Sequence, residues 1–304
     1  MFTKLSFRSI LRPVLVCLFI LSFYQVLVIG RVIPPTDGIS MVQENRIKAQ
    51  RYAYQPKSDL KLVMVGSSLT ANIQAKEVGK GVINIAMGGG ASQTGLELVE
   101  KSHKNPSKLL VEINETISRK LDTEIIDSIY NPLLYWTRFY LPMFREEYQP
   151  VSILIDYLKN RSKPKEQLSK VEMDKKESRF TNPELTEQSI KRLLAERNQP
   201  LSEEEKAKYT EKAELIKSQI KAIQKQGETQ VFLFDLPLEP KVFESPRDRD
   251  VRALMQKLFP PNTYQWLSFP PAREWRTNDG IHLIRSDAQD YALFLRQQLL
   301  DKGV

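Results

Sequence analysis

The chain has 304 residues, with 45 Lys and Arg against 37 Asp and Glu (net charge +8) and 41% hydrophobic residues. That balance excludes disorder throughout, a collagen-like repeat and a coiled-coil rod, and the length supports one large domain or two small ones. A single cysteine, Cys17, excludes a disulfide framework and a Cys-rich zinc site, and two histidines, His103 and His282, are too few for a His-rich metal centre.

From Pro13 to Gly30 the 18 positions carry no charge, and only Gln25 is strongly polar. That run is long enough for a transmembrane helix. Lys4, Arg8 and Arg12 precede it and Arg31 alone follows closely, so the positive-inside bias puts residues 1–12 in the cytoplasm and the rest outside. The competing reading is a cleaved signal peptide. The apolar run exceeds a usual signal core, and no small-x-small cleavage site follows. The expected location is therefore a single-pass membrane protein with an extracytoplasmic domain.

Residues 31–58, with Pro34-Pro35 and a polar stretch, read as a partly helical stalk or linker. An α/β rhythm then begins, and residues 59–304 read as one domain. Leu60–Val65, Val82–Ala86 and Leu109–Ile113 are short apolar runs that read as buried strands. Leu69–Lys76 and Ala91–Lys101 have helical length and lie between them. Strand alternating with helix predicts a parallel sheet with helical crossovers.

Residues 120–200 break this rhythm and read as a helical insertion over the sheet. Tyr135, Trp136, Phe139, Tyr140 and Phe144 cluster within it. They read as the insertion's own core, as a glycan groove or as a face toward a membrane partner. Lys159 to Gln230 holds 17 basic and 13 acidic residues. Mixed signs at this density predict solvated helices and no nucleic-acid patch. Asn182-Pro183-Glu184 carries a helix start signal. Ser202 and Glu205 form a capping box, and Tyr209, Ala213, Ile216, Ile220 and Ile223 follow on one helical face. Val231–Leu236 reads as a fourth strand, and Ser286–Leu300 as the last helix.

Open parallel sheets bind ligands at the carboxyl ends of their strands. Three such ends carry Gly66-Ser67-Ser68-Leu69, Gly88-Gly89-Gly90 and Asn114-Glu115. Taken singly, each has a bland reading as a turn, a tight bend or a helix cap. Asn278-Asp279-Gly280-Ile281-His282 adds a carboxylate three residues before an imidazole. Such a carboxylate can fix the imidazole tautomer, and the imidazole can take a proton from a serine hydroxyl. His103 sits among charged neighbours and is assigned no role. No P-loop, dinucleotide fingerprint or metal-ligand spacing appears, so neither cofactor nor metal is expected.

Gly66-Ser67-Ser68-Leu69, then Gly89, Asn114 and Asp279-x-x-His282, resemble in order the blocks of the SGNH/GDSL hydrolase superfamily. The resemblance covers residues 60 to about 300, apart from the helical insertion, and implies a flavodoxin-like α/β/α sandwich. It implies Ser68 as nucleophile, with Asp279 and His282 completing a triad. Gly89, Asn114 and the Ser68 amide would form the oxyanion hole, with Ser68 at a helix N-terminus that favours negative charge. The family's Asp before the serine is Ser67 here, which leaves either hydroxyl open as the attacker. The alignment with Gly-x-Ser-Leu favours Ser68. Glu112 replaces a Gly, and Glu115 an Asp, around Asn114. These departures are similar to those of membrane-associated members that modify cell-envelope polymers, such as the alginate acetylation proteins and the D-alanylation protein of teichoic acids. That narrower likeness implies an acyltransferase or esterase acting on a polysaccharide or other acylated glycan. A multi-pass membrane protein would be the acyl donor for the transferase. The alternative is an inactive scaffold of the same fold. Trp275 reads as a sugar-stacking residue or as loop packing, and Arg273 or Arg276 as a partner for an anionic group.

Overall fold

The computed structural model describes residues 7–57, 60–160, 183–271 and 273–303. The chain divides into two compact units, residues 1–50 with 127–164, and residues 51–126 with 165–304.

The second unit is built on five parallel strands: β1 (Leu62–Val65), β2 (Val82–Asn84), β3 (Lys108–Glu112), β4 (Gln230–Phe234) and β5 (Gln265–Trp266). Their order across the sheet is β2-β1-β3-β4-β5, and every adjacent pair is parallel. This 2-1-3-4-5 order is that of flavodoxin-type doubly wound sheets. Interior strand β1 is buried at all four positions, as expected of a parallel strand covered on both faces.

On one face Leu62, Met64, Leu110, Phe232 and Phe234 share a core with Tyr291, Leu295 and Leu299 of the C-terminal helix Arg285–Asp301. The opposite face is covered by helices Ser92–Ser102 and Glu203–Gln226. Gly95 lets the first of these approach β1 closely, because a Cβ there would lie 2.7 Å from that of Val65. The second helix begins with both halves of the expected capping box, and Tyr209, Ala213, Ile216, Ile220 and Ile223 are all buried.

Several expectations are corrected. Leu69–Lys76 is two short helices, Ser68–Ala71 and Ala75–Val78, because the Asn84 side-chain amide donates to the carbonyls of Thr70, near the end of the first, and Ile73, between the two. The second and fourth strands stop at Asn84 and Phe234, two residues before their predicted ends. Strand β5 and helix Pro246–Leu258 are additions to the predicted set. Residues 31–58 are more than a spacer, since helix Met41–Tyr54 buries Ile47, Ala49, Tyr52 and Ala53. Helix Pro183–Glu196 is present, while Asn182, its expected cap, lies outside the described residues.

In the first unit, helix Phe7–Ile29 contains a stretch, Leu11–Ile29, long and apolar enough to cross a membrane, with mean hydropathy 2.1. Of the aromatic cluster, Tyr135, Trp136, Phe139 and Tyr140 fall on helix Pro132–Tyr140 and Phe144 on the turn Pro142–Phe144, and no residue of either is buried. The cluster is therefore not the insertion's core: Trp136 is 55% and Tyr140 68% exposed, and Trp136 meets Tyr135 edge-on and stacks on Tyr140 along the helix.

Candidate active site

Ser67 and Ser68 follow β1 directly. Ser67 is the cap of the one-turn helix that Ser68 opens, and its hydroxyl accepts from the Leu69 amide at 3.1 Å. It also donates to Glu112 at 2.7 Å and is fully buried. Ser68 is partly exposed, and its hydroxyl lies 2.9 Å from His282 Nε2. Of the two serines, geometry thus pairs Ser68 with the imidazole and commits Ser67 to the fold. Because the helix is only four residues long, little macrodipole acts on Ser68. As the first helical residue, however, its amide has no carbonyl to bond within the helix.

His282 Nδ1 lies 2.7 Å from Asp279 Oδ2. The other carboxylate oxygen accepts from the amides of Ile281 (3.1 Å) and His282 (2.8 Å), so the loop is held by the same side chain that orients the ring. Burial disfavours the charged form of Asp279. The hydrogen bonds from the imidazole and the two amides outweigh it and hold the pKa below the ordinary value of 3.8. Gly280 takes a φ of +99°, which a side chain rarely adopts, and its amide donates to Thr277 Oγ1. Thr277 bridges Leu283 in antiparallel fashion, and the Ile284 amide donates to the Arg276 carbonyl. The loop is therefore a pinned hairpin-like turn.

Gly89 lies exposed in a turn with φ +68°. The Ile85 and Met87 amides just before it donate to the carbonyls of Met64 and Gly66, which sets this turn beside the strand end bearing the serines.

Asn114 is 7% exposed, and its amide nitrogen lies 3.0 Å from both Glu112 Oε1 and Asp235 Oδ1. An amide has two hydrogens, so both are used within the protein. Its oxygen accepts from the Thr116 amide, which makes Asn114 also the cap of the short turn Glu115–Ser118.

Glu112, which the motif comparison marked only as a departure from Gly, is the hub of the site. Its fully buried carboxylate receives the Ser67 amide (2.8 Å), the Ser67 and Thr70 hydroxyls (2.7 and 2.5 Å) and the Asn114 amide (3.0 Å). Gly66 leaves room for it, since a Cβ there would lie 2.3 Å from Glu112 Oε2. The two departures at residues 67 and 112 are thus in direct contact.

A cleft of about 170 Å³ opens at the ends of β3, β4 and β5, with Asn114, Asp235, Arg252, Trp266 and Phe269 among its walls. Ser68 and His282 do not line it, whereas Asn114, the implied oxyanion donor, does. Part of Asp235 reaches solvent, yet its carboxyl is densely packed. Burial pushes its pKa up to about 7, against the lowering effect of Asn114 and the Leu236 amide. Asp235 is not singled out by the sequence, because the predicted strand runs through it to Leu236, whereas β4 ends at Phe234. Glu112, inside the strand, is marked there only as a replacement of Gly.

Trp275 and Arg273 are both engaged within the protein. Trp275 is 6% exposed and packs edge-on against Tyr291. Arg273 lies over the Trp275 ring and pairs with Asp287 and Asp290, while Arg276 bonds Asp287 and Ser286. The sugar-stacking assignment is withdrawn, because the ring is spent on the core and the guanidinium on its neighbours. His103 is the exposed left-handed cap of helix Ser92–Ser102.

No protein-family model and no curated protein matches this chain.

Proposed function

We propose that the chain is an SGNH-type serine acyltransferase or esterase, held by its N-terminal helix with the α/β unit outside the cytoplasm. Its proposed substrate is an acylated polysaccharide of the cell envelope or an exported glycan. The observation that carries the proposal is the unbroken relay from Ser68 Oγ to His282 Nε2 (2.9 Å) and from His282 Nδ1 to Asp279 Oδ2 (2.7 Å).

In this scheme His282 takes the hydroxyl proton as Ser68 Oγ attacks the ester carbonyl, and Asp279 stabilises the resulting imidazolium. The tetrahedral oxyanion meets the amides of Ser68 and Gly89. Collapse expels the alcohol, which leaves with the proton from His282 and an ester on Ser68. An acceptor hydroxyl then gives its proton to His282 and attacks the acyl-serine. A sugar acceptor makes the chain a transferase, water makes it an esterase, and in each case the proton returns to Ser68. A multi-pass membrane protein supplying acyl groups from the cytoplasm would fit the transferase.

One observation favours a second reading, the inactive scaffold. Asn114, the implied third oxyanion donor, has both amide hydrogens engaged by Glu112 and Asp235. To serve an oxyanion it must release one of them. A fluorophosphonate probe separates the two readings. The active enzyme labels at Ser68, the Ser68→Ala protein does not, and Ser67→Ala still does. Absence of label on folded wild-type protein leaves only the scaffold. With label established, an acyl-serine that discharges to glycan rather than water assigns transfer.

A further inference from the structure

Helix Pro132–Tyr140 presents an unusual surface. Leu133, Trp136 and Tyr140 are spaced for one face and are 75, 55 and 68% exposed. A helix in water turns such a stripe inward. From Ser128 to Arg145 the sequence has no acidic residue, and Arg138 and Arg145 are its only charges.

What lies against this face follows from how the segment after it is fastened. The Met143 amide donates to Gln25 Oε1 at 3.1 Å, and the Tyr24 hydroxyl donates to the Tyr148 carbonyl at 2.5 Å. Both partners belong to the apolar stretch Leu11–Ile29. Gln25 is four residues before its end, about 6 Å along a helix axis. The zone between hydrocarbon and water is itself about 5–8 Å deep on each side of a bilayer. Further down the chain, the Thr36 amide donates to the Glu147 carbonyl and Gln43 Nε2 to Ser152 Oγ. The segment is therefore fixed at two points to the outgoing end of the anchor and at two more to the residues that follow it, all within the first compact unit.

We infer that helix Pro132–Tyr140 lies in the lipid interface, with its Leu133–Trp136–Tyr140 face seated at the headgroup–acyl boundary where the anchor leaves the membrane. The occupant of the face is lipid. Trp and Tyr favour that depth because their rings are apolar with one polar edge, and the absence of acidic residues from 128 to 145 spares the helix repulsion from an anionic headgroup layer. The contact goes beyond the proposed chemistry and does not depend on Ser68.

The test uses the full-length chain with Cys17→Ser, in vesicles of phosphatidylcholine and phosphatidylglycerol with no other protein. A nitroxide at Leu133→Cys is compared with one in the anchor, Ile20→Cys, and one on the exposed helix position Lys208→Cys. The expected result is collision with oxygen favoured over a water-soluble nickel chelate at 133 and 20, and the reverse at 208. Nickel access at 133 equal to that at 208 overturns the inference, and so does protection at 133 that needs an added membrane protein. As a second measurement, brominated lipids should quench tryptophan emission, and Trp136→Phe should remove most of the quenched fraction. Unchanged quenching in that variant also overturns it.

Discussion

Asp279 serves two structures with one carboxylate, since one oxygen holds the loop amides and the other holds the imidazole. Asp279→Asn keeps an oxygen for the amides but offers an NH₂ group to His282 Nδ1. The ring then favours the tautomer that cannot accept from Ser68. We expect probe labelling to slow by about 10³-fold or more while the fold survives. Labelling at the wild-type rate would detach Asp279 from the chemistry. Asp235 makes a different prediction. Its pKa of about 7 lies above the ordinary 3.8. Well below pH 3.8 the folded and unfolded chains both carry the proton and no penalty exists. Between 3.8 and 7 the unfolded chain loses it first, so stability falls as pH rises, and the cost is complete above 7. Asp235→Asn keeps an acceptor for Asn114 without the charge. It should raise Tm relative to wild type at about pH 8.5 by clearly more than at about pH 4.5. An equal effect at both pH values would mean that Asp235 is ionised in the folded protein throughout.

At the scale of elements, β1 and β3 are joined at their ends by Glu112 as well as by the ladder between them. Glu112→Ala leaves the Ser67 amide and hydroxyl, the Thr70 hydroxyl and one Asn114 hydrogen without their acceptor. Buried donors stripped in this way cost on the order of 2–4 kcal/mol in total, read as a lower midpoint in urea unfolding. Gly66→Ala should do similar damage by displacing the carboxylate. A near-neutral result for both would show that the junction is held elsewhere. The sequence made most of these elements legible. Short apolar runs located β1 to β4, and the Ser202–Glu205 pair located the start of a 24-residue helix. The misses have local causes. Strand β5 is two residues long and shows no period. The break after Ala71 is imposed by the Asn84 side chain, reaching in from the next strand. Helix Pro246–Leu258 carries a start signal in Ser245, Pro246 and Asp248 that was open to reading.

For the whole molecule, the apolar stretch Leu11–Ile29 is 11% buried and so has no protein core of its own. The full chain should stay with the membrane through alkaline carbonate and be released only by detergent. Release by carbonate would remove the anchor and, with it, the proposed location. The apolar helix Leu11–Ile29, the strand–helix rhythm and the three-residue spacing of Asp279 and His282 were all determined by the sequence alone, because each is a short-range pattern set by helix rise, strand pleat or turn geometry. Only the tertiary structure decided which serine meets the imidazole, since Ser68 and His282 are 214 positions apart and meet through the packing of the sheet. It also decided that Glu112 takes up Ser67, that Asn114 is spent on two carboxylates, and that Trp275 turns inward while Trp136 turns out. Such outcomes depend on which surfaces are covered, and a local pattern records only that a face is apolar, not what it will touch.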